Sequence, residues 1–380
     1  MNISISATNP CHLYDLARAL HAQHALGRYY SGYPRWKLRP PANFPLTTRS
    51  ARTLLTYGTL RLPTTLRPAP HRLFRWQDAG FDRSVADALE GDPAQSLHAM
   101  PGQALATFRA ARHHGITPVL NHASGPVRQQ LALVREEYRR AGVEPARHHG
   151  FDAAYFAREN EEYALAGYHC VASNIVRRQL VADGVPSDRI WVVPYGADTE
   201  TFYPPEKSGG RDGTKIVFAG QLSLRKGLRI AFPAVEHARR HAPFHFHLYG
   251  PTSSEIRSTL APWTAASWVH LHGPAPQKQL AEVFRSAAML VLPSFEEAFG
   301  LVIVQALNCG LPCIVSDRVG AGDLIEHRRN GSIVPAGDSS ALAEEILWWS
   351  EHPDAFNYRP FDWHGPARQL LHLSPSTPCQ

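Results

Sequence analysis

Short apolar runs alternate with stretches of three-and-four apolar spacing along most of this chain. Met1–Ser6 alternates apolar and polar side chains and predicts a first strand; Leu13–Leu20 puts Leu13, Leu16, Ala17 and Leu20 on one helical face. The loop between them, ATNPCH, holds no glycine, so a phosphate cradle built from backbone alone is not expected there. The same patterning predicts helices over Val85–Leu89, Gln103–His113, Gly125–Gly142, Asp152–Leu165 and Ser173–Ala182. It predicts strands over Thr117–Leu120, His169–Ala172 and Arg189–Pro194. Pro204–Gly213 (PPEKSGGRDG) reads as a flexible linker, and βα units restart after it at Lys215–Ala219. They continue through Ala231–His237, Phe246–Tyr249, Val269–Leu271 and Leu280–Ser286. Asp338–Trp349 is an amphipathic helix, Phe361–Leu373 ends in a helical LLHL, and SPSTPCQ reads as a loose tail. Alternation on both sides of a linker predicts an α/β protein of two Rossmann-like, doubly wound domains facing across a cleft. The expected division is 1–203 and 204–352, with a helix at about 353–373 packing back on the first domain.

One stretch organises the second half. Leu290–Asp317 reads as a buried strand (Met289–Leu292), a turn carrying Glu296 and Glu297, a helix opened by Phe299–Gly300, and a second strand at Cys313–Ser316. The helix presents Leu301, Val304 and Leu307, with Val302 assigned to the core, and stops at Gly310–Pro312. Strand ends and a helix N-terminus in a βαβ unit make an anion site, and a carboxylate beside it suits a ligand with both phosphate and hydroxyls. The plain alternative is a βαβ unit whose acids are solvated turn residues. In the first half, Asn121–His122 follows a predicted strand, so His122 is expected either to face the ligand crevice or to be a satisfied structural histidine.

Composition narrows the compartment. A hydrophobic content of 44% over 380 residues suits packed domains. No run approaches the ~20 apolar residues of a membrane span. MNISISATNP lacks a basic region followed by an apolar core, so no secretory signal is read there. The odd number of cysteines (Cys11, Cys170, Cys309, Cys313, Cys379) forms no CxxC pair, which fits reduced thiols and a cytoplasmic location. Residues 1–75 hold ten Arg and one Lys against Asp15 alone, a balance of +10, leaving −4 for the rest of a chain of net +6. Prolines and leucines interrupt this block and no aromatic nucleic-acid signature accompanies it, so nucleic acid is not an expected partner. Within basic residues 28–75, Ser50–Leu62 interleaves Leu54, Leu55, Leu60 and Leu62 with Arg52 and Arg61. It reads either as an interfacial element on an anionic bilayer, which would put the protein at the inner membrane face, or as a surface helix packing its leucines on its own domain.

Several segments together resemble the retaining, GT-B-type glycosyltransferases of family 4. VVPYGADTETFYP is similar to that family's interdomain segment, through Gly196, Asp198 and Phe202; FAGQLSLRKG (Phe218–Gly227) to its diphosphate-gripping loop; Leu290–Val315 to its signature loop and helix; and NGSIVPAGD (Asn330–Asp338) to the strand that follows. The cover is strong over about Ile190–Leu347 and weaker before it. The resemblance implies transfer of a sugar from a nucleotide-diphosphate donor to a hydroxyl acceptor, a glycolipid or a glycan, with no cofactor and no metal. It assigns donor binding to Gly220, Gln221, Arg225, Lys226, Phe299, Gly300, Leu301 and Gln305, and the donor sugar's hydroxyls to Glu297. His122, on the opposing domain, would approach the sugar from the acceptor side, making Glu297 and His122 the catalytic pair. Arg225 and Lys226 supply positive charge where leaving-group charge develops.

Three positions depart from the family pattern. The second acid of Glu–x7–Glu is Gln305, the Arg expected after the strand-end glycine is Gln221, and the first loop (Pro10, Cys11, His12) lacks glycine. They leave two other readings open: a non-catalytic nucleotide-sugar-binding relative, and a GT-B nucleotide-sugar epimerase.

Overall fold

The computed structural model describes residues 2–144, 151–206 and 211–373. The tail SPSTPCQ and the middle of the expected linker, residues 207–210, lie outside them. Two all-parallel sheets carry the chain. The first is built from β1 (Ile3–Ala7), α1 (His12–Ala22), β2 (Leu26–Ser31), α2 (Arg35–Leu38), β3 (Leu46–Thr48), α3 (Ala51–Thr59) and α4 (Pro70–Ala86). It continues with β4 (Ser96–Ala99), α5 (Leu105–His113), β5 (Thr117–His122), α6 (Val127–Arg140), α7 (Ala153–Leu165), β6 (Tyr168–Val171), α8 (Asn174–Ala182) and β7 (Ile190–Val192). The second begins with β8 (Asp212–Ala219), α9 (Leu228–Ala238), β9 (His245–Tyr249), α10 (Arg257–Leu260), β10 (Val269–Gly273) and α11 (Gln277–Ser286). β11 (Ala287–Leu292), α12 (Leu301–Asn308), β12 (Cys313–Ser316), β13 (Gly331–Val334) and α13 (Ser339–Glu351) complete it, and α14 (His364–Leu373) follows.

Strand order is β3-β2-β1-β4-β5-β6-β7 in the first sheet and β10-β9-β8-β11-β12-β13 in the second. Both are doubly wound, with the order reversing between β1 and β4 and between β8 and β11. Such sheets bind ligands outside the carboxyl ends of the strands at that reversal. In the second sheet this selects the loops after β8 and after β11. The strands there read as unbroken apolar runs because helices cover both faces: Ile216–Phe218 and Met289–Val291 are fully buried.

After α13 the chain returns to the first domain. Trp363, Ala367 and Leu370 join the buried cluster formed by α1 and β1, and Gln369 Nε2 donates to Val192 O at 2.8 Å.

The structure corrects several boundaries. Val85–Leu89 is no separate helix: Val85 and Ala86 end α4, which starts at Pro70. The helix expected from Gly125 begins at Val127, because Pro126 sits in the extended capping position. The far end of the expected linker is firmly held, since Arg211 donates to the carbonyls of Phe284, Ala287, Cys309 and Gly310 at 2.8–3.1 Å. α3 does not pack its leucines on its own domain. Thr53 and Thr56 are buried, while Leu54 and Leu55 face outward.

Candidate active site

The loop after β8 and the loop after β11 meet at the sheet's reversal point. Ser223 ends the first in extended backbone, a 3-10 turn follows over Leu224–Lys226, and Gly227 closes it at φ +74°. Only glycine fits that corner without strain, because its backbone is left-handed and an added Cβ would run into Pro293 O. The turn therefore projects Arg225 and Lys226 toward the second loop. Phe295 N donates to Arg225 O at 2.9 Å, stitching the loops together.

The second loop is pinned from its other side as well. Glu297 N donates to Arg318 O at 3.1 Å and Gly320 N to Glu297 O at 2.9 Å, so the acidic turn runs as a short bridge beside the loop after β12. Gly300, at φ +92°, caps α12 and releases the chain into the helix. Ile303 N donates to Gly300 O at 2.9 Å, which leaves the amides of Leu301 and Val302 as the helix's open N-terminal donors.

Four charges converge there. Arg225 Nη1 donates to Glu296 O and to Glu296 Oε2, both at 2.9 Å, and Lys226 Nζ donates to Glu297 Oε2. Neither acid is a solvated turn residue: Glu296 is buried, and both Lys226 and Glu297 are largely enclosed. Burial, then the charge of Arg225, lowers Lys226 from its ordinary 10.5 to about 7, while Glu296 pulls it back up. The cations that would neutralise an anion and a carboxylate that would accept hydroxyls thus touch each other.

Beside this cluster lies a cavity of about 260 Å³ lined by Gly220, Gln221, Tyr249, Pro274, Val302 and Gln305, among others. Gln221 and Gln305, the two departures from the acid-and-arginine pattern, share this pocket. Val302, assigned to the core, packs half-buried against it and also forms part of this wall. Gly220 adopts φ +141° with open space where a side chain would be. Leu301 is partly exposed at the first position of α12.

The first domain closes on the acidic loop. Ser173 Oγ donates to Ala298 O at 2.6 Å, Asn174 N donates to Asp323 Oδ2 at 2.7 Å, and Tyr195 packs edge-on against Phe299 at 4.9 Å. Phe299 is buried, so its ring sets the spacing between the domains and its backbone alone borders the loop.

His122 lies at the end of β5. β5 pairs as far as His122, leaving the side chain 2% exposed inside the first domain. Its Nε2 shares a hydrogen bond with His169 Nδ1 at 2.9 Å, its ring meets Tyr163 at 5.3 Å, and burial holds its pKa well below the usual value. In this arrangement its side-chain partners are those of a structural histidine. Its carbonyl, accepting from Tyr195 OH at 3.4 Å, is the part of it that communicates with the cleft. Sequence reasoning left out Glu296 as the partner of Arg225, and Tyr195. The signal for Glu296 was present, since it adjoins Glu297 as Arg225 adjoins Lys226. Tyr195 carried none. Among the described residues, no group of three or more His, Cys, Asp or Glu side chains is arranged to hold a metal ion.

Two doubly wound domains with the cation-and-carboxylate cluster on the second define the GT-B class. Residues 213–352 match the model of the family described as Glycosyl transferases group 1. The amylovoran biosynthesis glycosyltransferase AmsK of Erwinia amylovora is 27% identical over 188 residues, 47% of this chain and 46% of that protein. The chain thus spans about half the length of that relative. The putative colanic acid biosynthesis glycosyltransferase WcaL of Escherichia coli is 23% identical over 296 residues, 74% of this chain and 70% of that one. Among solved structures, Anabaena HepE in complex with UDP superimposes with a TM-score of 0.63 at 14% identity, covering 100% of this chain and 96% of that one. That likeness is one of fold.

Proposed function

We propose that this protein transfers a sugar from a nucleotide-diphosphate donor to a hydroxyl acceptor, with retention at the anomeric carbon and without a metal ion. The acceptor is a glycolipid or a growing surface polysaccharide, and the enzyme works in the cytoplasm. The observation that carries this reading is the pairing of Arg225 and Lys226 with Glu296 and Glu297 at the start of α12. A bound donor would divide the Lys226–Glu297 pair. Its phosphate oxygens take the ammonium and its sugar hydroxyls take the carboxylate. Arg225, Lys226 and the α12 amides then stabilise the diphosphate as negative charge builds on it. The nucleoside lies in the pocket of Gln221 and Gln305. In a front-face route the departing phosphate accepts the acceptor's proton, so no enzyme nucleophile is required, and the buried side chain of His122 takes no part in that transfer. Relatives named for amylovoran and colanic acid biosynthesis support the polysaccharide part of this reading.

The test is a donor screen with UDP-, GDP- and ADP-sugars, with and without EDTA, followed by Glu297→Ala. We expect turnover with one donor, indifference to EDTA, and at least a roughly tenfold loss of turnover on Glu297→Ala. Nucleotide binding with no turnover would make the protein a binding module. Conversion of the donor sugar without an acceptor would make it an epimerase. EDTA-sensitive activity would remove the metal-free part alone.

A further inference from the structure

From Leu16 to Gln77 the sequence contains no Asp or Glu, and α2, α3 and the start of α4 bring the exposed part of this length together. Contacts run across it without a break. Lys37 lies over the Trp36 ring at 5.3 Å and over Tyr33 at 6.0 Å; Tyr33 meets Tyr57 at 6.0 Å, and Tyr57 meets Phe74 at 6.2 Å. Arg52 covers Trp76 at 4.6 Å, tying α3 to α4. Large apolar side chains stand outward on this face: Trp36 is 67% exposed, Leu55 61% and Leu66 71%, with Leu54 and Leu62 close behind. Arg35, Lys37, Arg39, Arg61 and Arg72 are exposed between them. Arg75 pairs with Asp152 at the edge of this face.

A water-facing surface has no reason to bury threonines and display leucines, as α3 does. A bilayer interface does: apolar side chains enter the headgroup region while arginines meet anionic headgroups. Charge complementarity selects the occupant, because a one-sign field with interleaved Leu and Trp fits an anionic lipid surface better than another protein of mixed charge. The face also adjoins the cleft. Tyr57 OH and Gln77 Nε2 both donate to Asn9 Oδ1, at 3.4 and 3.3 Å, in the loop after β1 where the first sheet reverses.

We infer that the face formed by α2, α3, the 60–69 turn and the start of α4 docks on an anionic lipid bilayer, holding the first domain's half of the cleft at the membrane surface. This stands independently of the transfer reaction.

The full chain is sedimented with vesicles of phosphatidylcholine alone and of roughly 70:30 phosphatidylcholine and phosphatidylglycerol. Binding is expected only with the anionic vesicles, falling at least about fivefold as screening is raised from about 0.1 to 0.5 M salt. A Leu55→Asp/Leu66→Asp double variant and an Arg61→Glu/Arg72→Glu double variant should each weaken it by roughly tenfold or more, with melting temperature and nucleotide binding unchanged. These side chains are exposed, so neither change disturbs a core. Absence of binding, equal binding to both vesicle types, or indifference to both variants would overturn the inference. So would binding of soluble polyphosphate or RNA as tight as that of the vesicles and unaffected by the leucine variant. Turnover without vesicle binding removes this inference alone, and vesicle binding without turnover removes the transferase reading alone.

Discussion

Lys226 sits where burial and charge oppose each other. Enclosed and beside Arg225, its ammonium is held down to about 7 in the free protein. A diphosphate favours the charged form, so the bound pKa must lie above the free one. At about pH 8 the free side chain is mostly neutral and the bound one charged, so nucleotide binding should take up a proton. Donor affinity should therefore be greatest below about pH 7 and fall as pH rises toward the bound pKa. Calorimetry in two buffers of different ionisation enthalpy reads this directly; no proton uptake would mean that Lys226 does not meet the phosphates. Gln305 offers a second residue-scale test. As an amide it accepts a hydroxyl's hydrogen bond without a full charge, so Gln305→Glu should tighten nucleotide binding by about 1 kcal/mol, roughly fivefold. Unchanged or weaker binding would place the ribose elsewhere. Both residues are singled out in the sequence by the family resemblance, Lys226 through FAGQLSLRKG and Gln305 through the Glu–x7–Glu pattern. His122 could not be placed there: the strand read from the sequence stops at Leu120, and β5 pairs two residues further, through His122.

At the scale of elements, the loop after β8 is made by Gly227, whose left-handed corner swings Arg225 and Lys226 toward the acids. Gly227→Ala forces a side chain into that conformation and against Pro293 O. The expected cost is roughly 1–3 kcal/mol, read as a lower melting midpoint, together with weaker nucleotide binding because the loop must shift. A variant that melts lower yet binds normally would separate the corner from the site. The second domain was the legible half. Its central strands carry continuous apolar runs, Ile216–Ala219 in β8 and Ala287–Leu292 in β11, and Cys313–Ser316 appears with the bounds its sequence predicts. In the first domain β2, β3 and β4 escaped notice. β4 is four residues long and β3 three, and β2 mixes Arg28 with two tyrosines, so neither an alternating nor an apolar pattern develops. α4 was missed over most of its length because Arg72, Arg75, Trp76 and Asp78 blur its apolar face, and only its last turn shows a helical repeat.

At the scale of the molecule, the cleft is spanned by contacts between side chains far apart in sequence, which no local pattern encodes. α6 carries Glu137, buried at the boundary, to Arg229 of α9 through two bonds at 2.7 and 3.2 Å, and Tyr138 OH donates to Glu255 at 3.1 Å. On the other flank of the acidic loop, Ser173 and Asn174 hold Ala298 and Asp323. The two sets differ in kind. The Ser173 and Asn174 bonds run from neutral donors to a backbone carbonyl and to the exposed Asp323 carboxylate, whereas the α6 contact is an ion pair whose loss strands a buried carboxylate. Arg229 is about a third exposed, so solvent screens part of that loss, and Arg229→Ala should cost roughly 1–2 kcal/mol of closure. Because Arg229 touches neither the acids nor the donor pocket, the change should act through domain closure. We expect a larger radius of gyration by small-angle scattering and a raised donor KM with kcat changed less. Glu137→Gln, which keeps the shape and removes the stranded charge, should lie between the wild type and Arg229→Ala in both measurements. If both variants scatter as the wild type and keep its KM, the closed arrangement is held by the Ser173 flank alone, and the α6 ion pair is incidental to catalysis.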